Sequence, residues 1–207
     1  MVNEIRIYVE GGGDQRWGKA AIREGFSKFL SSVRERARER RIHWNIIACG
    51  PRNAAFDAFQ IALRQHVQAF NILLIDAEGP VSQTPLAHLQ QRDGWPLPLI
   101  PDDHFHLMVQ AMEAWVIADL DALARFYGQG FNPNPIPRQH DVEMVDKISL
   151  EQDLQLATRD TQKDEYHKIR HGPKILALID VAKVRSRARH CERLFSFLMG
   201  KLDETIQ

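Results

Sequence analysis

Three short apolar runs alternate with helical stretches over the first 76 residues, and this order limits the chain to few folds. Residues 4–10, EIRIYVE, put Ile5, Ile7 and Val9 at every second position, the period of a strand. A helix follows in which Ala20, Ala21, Phe26, Phe29, Leu30 and Val33 recur at helical spacing, with Asp14 expected as its N-cap and RERARERR as its continuation. Residues 43–50, HWNIIACG, read as a second strand, 51–70 as a helix with proline in its first turn, and 71–76, NILLID, as a buried third strand. A fourth strand is expected over 104–109, HFHLMV, running into one helix that stops at Gly128. Strands separated by helices of this length imply an α/β fold with a mostly parallel, doubly wound sheet and helices on both faces.

The pattern then changes. Residues 128–140, GQGFNPNPIPRQH, hold three prolines and two asparagines with no period, whereas LEQDLQLAT, PKILALIDVAKV and RHCERLFSFLMGKL all show helical spacing. The expected organisation is an α/β domain over 1–128, a connector over 129–148 and a C-terminal helical appendage over 149–207 packed on the core. The 27 basic and 27 acidic side chains cancel, so no global field announces a nucleic-acid or membrane partner. Cys49 and Cys191 lie far apart without C-x-x-C spacing, which fits unpaired thiols in a reducing cytoplasm. The start has neither a basic leader nor a run of the roughly 20 apolar residues that a bilayer requires.

Loops leaving the carboxyl ends of parallel strands converge on one crevice. Glu10 closes the first strand; Asp76 and Glu78 close the third, and as residues i and i+2 of an extended chain they are expected to point to one side. Together the three carboxylates offer oxygen ligands to one hard cation, Mg2+ or Mn2+. The stretch YVEGGGDQRWGKAA also meets the G-x-x-x-x-G-K frame of a nucleotide-binding loop through Gly13, Gly18 and Lys19. Three details weigh against an ATPase: Ala20 stands where a Ser or Thr is needed, Arg16 and Trp17 crowd the loop, and Glu10 would face the phosphates it should attract.

A glutamate closing the first strand and an acidic pair closing a later one resemble the TOPRIM fold of topoisomerases, primases and overcoming-lysogenization-defect nucleases. The blocks YVEGGGD, ACGPRNAAFDAF, LLIDAEGPV, HLMVQAMEAWVIAD, YHKIRHGPKILALID and VRSRARHCERLFSFL resemble, in order, those of a bacterial TOPRIM-like family of unknown function, often encoded beside an ATPase in antiphage systems. The resemblance implies a TOPRIM-like, Rossmann-like sheet, with Glu10 as ligand or general base and Asp76 and Glu78 as magnesium ligands. It also implies Glu113 as ligand to a second metal. Glu78 replaces the second aspartate of the plainest TOPRIM pattern.

Lys168, in the block that resembles the family's Y-x-K element, is expected to neutralise phosphate charge, with Lys174 a further phosphate contact. Arg52 opens a helix after the second strand, where free backbone amides already favour an anion, and is expected to touch phosphate. His167 and His171, four apart, form a zinc frame that Gly172 and Pro173 interrupt. RERARERR reads as a solvated helix face. The function expected is a Mg-dependent nuclease on DNA or RNA, working with an ATPase; the competing reading is a non-catalytic subunit that docks an ATPase or nucleic acid. A homo-oligomer is compatible with the sequence, and a membrane association is not expected.

Overall fold

The computed structural model describes residues 2–96 and 98–204. Four strands, β1 (Glu4–Glu10), β2 (His43–Gly50), β3 (Ala69–Asp76) and β4 (Phe105–Met108), form one all-parallel sheet in the order β2-β1-β3-β4. The fold is α/β and Rossmann-like, with helices on both faces of the sheet. The alternation along the strands explains the two layers. Ile5, Ile7, Val9, Ile72 and Leu74 face one side, where α1 (Arg16–Phe29) and α2 (Ser31–Glu39) cover them. Tyr8, Leu73, Ile75, Phe105 and Leu107 face the other, under α3 (Arg52–Gln65) and α4 (Pro85–Asp93). Each such aliphatic side chain withdrawn from water contributes roughly 1.5–3 kcal/mol.

The expected helix over 110–128 is two helices, α5 (Met112–Ile117) and α6 (Leu120–Tyr127). Asp119 breaks it by acting as the N-cap of α6, accepting from the Ala122 N–H at 3.3 Å, from the Asp180 N–H at 3.0 Å and from the Lys183 ammonium at 2.7 Å. Trp115, fully buried, stacks on Phe29 at 5.2 Å. Trp115 and Asp119, both within the block HLMVQAMEAWVIAD, thus serve two separate structural tasks. The remaining helices are α7 (Lys147–Thr158), α8 (Gly172–Leu176), α9 (Val181–Arg187) and α10 (Arg189–Asp203). Their buried residues, among them Leu150, Ile175, Val184 and Leu198, belong to the same apolar cluster as α1 and α5. No helix among the described residues is long and apolar enough to cross a membrane.

The N-cap of α1 is Gln15, not Asp14, which is exposed. The glycine run turns back onto the helix: a Cβ at Gly12 would lie 2.6 Å from the Gly18 carbonyl oxygen, and one at Gly18 would lie 2.0 Å from that of Gly12. Backbone therefore packs directly on backbone, and Gly12 also needs its φ of +84°. The substitution Gly18→Ala is expected to cost roughly 3 kcal/mol or more, because backbone has to move on both sides of the contact. By contrast, Gly200 is exposed in α10 with nothing near its missing Cβ, so Gly200→Ala should stabilise by roughly 0.5–1 kcal/mol. Urea midpoints of the two variants measure both effects, and a G18A protein as stable as the parent would show that loop and helix are separable.

Candidate metal centre

β1 and β3 are neighbours, so their terminal carboxylates meet. The Asp76 N–H donates to Glu10 Oε2 at 3.2 Å, and the Met112 N–H, at the start of α5, donates to Asp76 Oδ1 at 2.9 Å. Glu78 is not part of an extended i, i+2 pair as expected: it lies beyond the end of β3 with φ +67°, while its N–H still bonds the Gln110 carbonyl at 2.8 Å. That left-handed turn returns its carboxylate to the other two. Oxygen atoms of Glu10, Asp76 and Glu78 all lie within 4.8 Å of one another. Beside Glu10 and Asp76 is a cavity of about 200 Å3 walled by the glycine run, Met112 and Lys168.

Four basic side chains surround these acids. Arg52 donates to Glu10 at 3.3 Å and to the Asp76 carbonyl, and its other nitrogens are clamped by Asp93 at 2.9 and 2.7 Å. The guanidinium lies over Trp95, which in turn stacks on Phe56 at 4.1 Å. Lys168 meets Asp76 at 2.8 Å and Glu113 at 3.5 Å, and the Tyr166 hydroxyl donates to Glu113 at 2.8 Å. Lys147 pairs with Glu78, and Arg92 stands 3.6 Å from it. Counting Glu10, Asp76, Glu78, Asp93 and Glu113 against Arg52, Arg92, Lys147 and Lys168, full ionisation leaves one negative charge, which one divalent cation would convert to a positive one.

Burial, and then the Asp76 carboxylate, push the Glu10 carboxyl up to about 7 against the pull of Arg52 and Lys168. Burial likewise raises Glu113, opposed by Lys168. For Lys168 burial alone would lower the pKa, but Asp76 and Glu113 outweigh it and hold the ammonium above its ordinary value.

Glu10, Asp76 and Glu78 are therefore brought together, with Lys168 and Glu113 against them. Glu113 is not one of the three clustered carboxylates; it anchors Lys168 from within α5. Arg52 adjoins Glu10, with each of its nitrogens already engaged. Lys174 is exposed on α8 and lines a different groove with Glu24 and Lys28. His171 bonds the Tyr127 hydroxyl at 3.0 Å and joins no metal-ligand group among the described residues. Arg92 and Lys147 were not expected: they occupy segments without a motif, and only tertiary packing brings them to Glu78.

Hard oxygen donors clustered within 4.8 Å of one another suit a divalent cation, and the donor set fits a metal without specifying which. The fold and site define a Rossmann-like α/β protein with a metal-competent acidic cleft at the carboxyl ends of its central strands. The chain belongs to the family described as a domain of unknown function (DUF4276), whose model matches residues 9–199. No curated protein and no solved structure matches it significantly.

A carboxyl that binds its proton more tightly folded than unfolded adds stability at low pH and loses it as pH rises. With folded and unfolded values of about 7 and 4.5, Glu10 makes the metal-free protein less stable by roughly 2–3 kcal/mol as pH climbs across that interval. Chemical denaturation at a series of pH values should show this slope, and Glu10→Gln should flatten it. Mn2+ binding should release the same proton and tighten from pH 6 to 8, as calorimetry in two buffers can establish.

Proposed function

We propose that this protein is a magnesium-dependent phosphodiester-cleaving enzyme, a TOPRIM-like nuclease acting on DNA or RNA in the cytoplasm. The observation that carries the reading is the convergence of Glu10, Asp76 and Glu78 within 4.8 Å at the ends of two adjacent parallel strands. A magnesium ion held there would supply a Lewis acid for a phosphoryl oxygen. The chain's own groups do the rest. Lys168, fixed between Asp76 and Glu113, offsets negative charge that accumulates on the phosphate. Glu10, through a carboxylate oxygen left free of the ion, takes the proton of the attacking water as the water oxygen bonds to phosphorus and the ester oxygen departs with the bonding pair. Lys147 and Arg92 hold Glu78 and add positive charge beside it. The ATPase partner and antiphage setting implied by the sequence resemblance belong to the same proposal.

A second reading, a non-catalytic subunit that docks an ATPase or nucleic acid, is favoured by one observation. Each of the three carboxylates already has a basic partner within the chain, which is also how a purely structural charge network is built.

Anomalous diffraction from crystals soaked in manganese separates the two. Manganese within about 2.5 Å of Glu10, Asp76 and Glu78 oxygens supports the enzyme, and carboxylates left bare at high concentration support the docking subunit. In a Mn2+-dependent assay on plasmid DNA and structured RNA, Lys168→Met should lower kcat by about 100- to 1,000-fold with a smaller change in KM. An unchanged kcat would remove Lys168 from the chemistry.

A further inference from the structure

At the opposite end of the sheet from the carboxylates, where α2 runs into β2, a groove of about 670 Å3 is lined by Arg34, Glu35, Arg38, Arg41, His43 and Trp44. We propose that this groove is a contact site for the phosphate backbone of nucleic acid. The neighbouring arginines of the same helix set the contrast. Arg36 and Arg40 are neutralised by Asp203 at 2.7 and 3.2 Å, across 167 and 163 residues of sequence. Arg34, Arg38 and Arg41 have no ion-pair or side-chain hydrogen-bond partner among the described residues, and all three are exposed.

Val33 and Ala37 bury the inner stripe of α2, which turns Arg34 and Arg38 outward one turn apart on a single face. Like charges at that spacing cost helix stability rather than adding to it. Arg41 extends the row past the helix end at φ +56°, in the left-handed turn that closes α2 through the Ile42 N–H bond to the Ala37 carbonyl at 2.9 Å. Three unneutralised guanidiniums around one concavity fit a ligand with repeated anionic groups. Arginine's planar fork matches phosphate oxygens in pairs, and Glu35 is the only acid in the lining.

The choice of nucleic acid over another polyanion rests on the phosphodiester reading of the carboxylate cleft. The eight residues of β2 separate the two sites by about 23 Å, so one strand reaching both covers several nucleotides. The substrate is then a polymer and not a mononucleotide.

Binding is measured in chelator, where cleavage cannot interfere, as fluorescence anisotropy of labelled single-stranded and duplex oligonucleotides of about 20 nucleotides over a salt series. The triple variant R34Q/R38Q/R41Q should bind at least tenfold more weakly at moderate salt, and its log–log salt slope should fall by about 2–3, since each lost phosphate contact removes roughly 0.7–0.9. These side chains hold no partner and two of them repel, so the melting temperature should match that of the parent or slightly exceed it. Equal affinity and slope in parent and variant overturn the proposal, as does a parent with no affinity for either oligonucleotide. Displacement by a poly-glutamate peptide at lower charge concentration than by DNA also overturns it, in favour of an acidic protein. A separate manganese cleavage assay keeps the two ideas apart: arginine-dependent binding without cleavage sinks the nuclease reading alone.

Discussion

The Lys168 ammonium and the Asp76 carboxylate meet at 2.8 Å, joining positions 92 residues apart. Asp76 and Glu113 are almost wholly buried, and a carboxylate in that setting is tolerated only with a cation and hydrogen bonds beside it. Lys168 serves both at once, while the Met112 N–H and the Tyr166 hydroxyl take up further lone pairs. The last third of the chain is therefore tied to the sheet by electrostatics as well as by the apolar cluster that α7, α8 and α10 share with α1 and α5. Removing one member leaves a buried charge uncompensated, which makes this contact more consequential than the exposed pairs on the helices.

The acids owe their meeting to topology. Parallel strands place all their carboxyl ends on one edge, and the order β2-β1-β3-β4 makes the donors of Glu10 and Asp76 immediate neighbours. The glycines following Glu10 then fix where its side chain starts, because the contact between Gly12 and Gly18 seats the loop against α1 without an intervening side chain. What resembled a phosphate-cradling loop in the sequence is a device for close packing that also forms one wall of the carboxylate cavity.

Much of this was legible from local pattern. Apolar alternation marked β1 and a continuous apolar run marked β3, and the strand-end acids stood out because β1 stops at a glycine run and β3 at AEGP. Other features depend on contacts that no local window contains. α4, PLAHLQQRD, buries only Pro85 and Leu89 and so lacks a helical apolar stripe. The break at Asp119 is imposed by partners at Asp180 and Lys183, and continuous helical spacing conceals it. Lys147 and Arg92 reach Glu78 only after folding, and the left-handed turn at Glu78 is a position where a glycine, not a glutamate, would have announced itself. Reading the strand pair as extended gave the correct cluster through the wrong geometry.

The ordering of these charges along the chain has a consequence during synthesis. A ribosome delivers Glu10, Arg52, Asp76 and Arg92 early, whereas Lys147 follows Glu78 by 69 residues and Lys168 follows Asp76 by 92. Domains begin to form from the N-terminal side as the chain emerges. A nascent chain that has completed the sheet but not the later helices carries its acids with only part of their counter-charge, and lacks the lysine held against Asp76. The acidic cleft can therefore acquire its full set of charges only after Lys168 has been made, which keeps shorter nascent chains from presenting the assembled site.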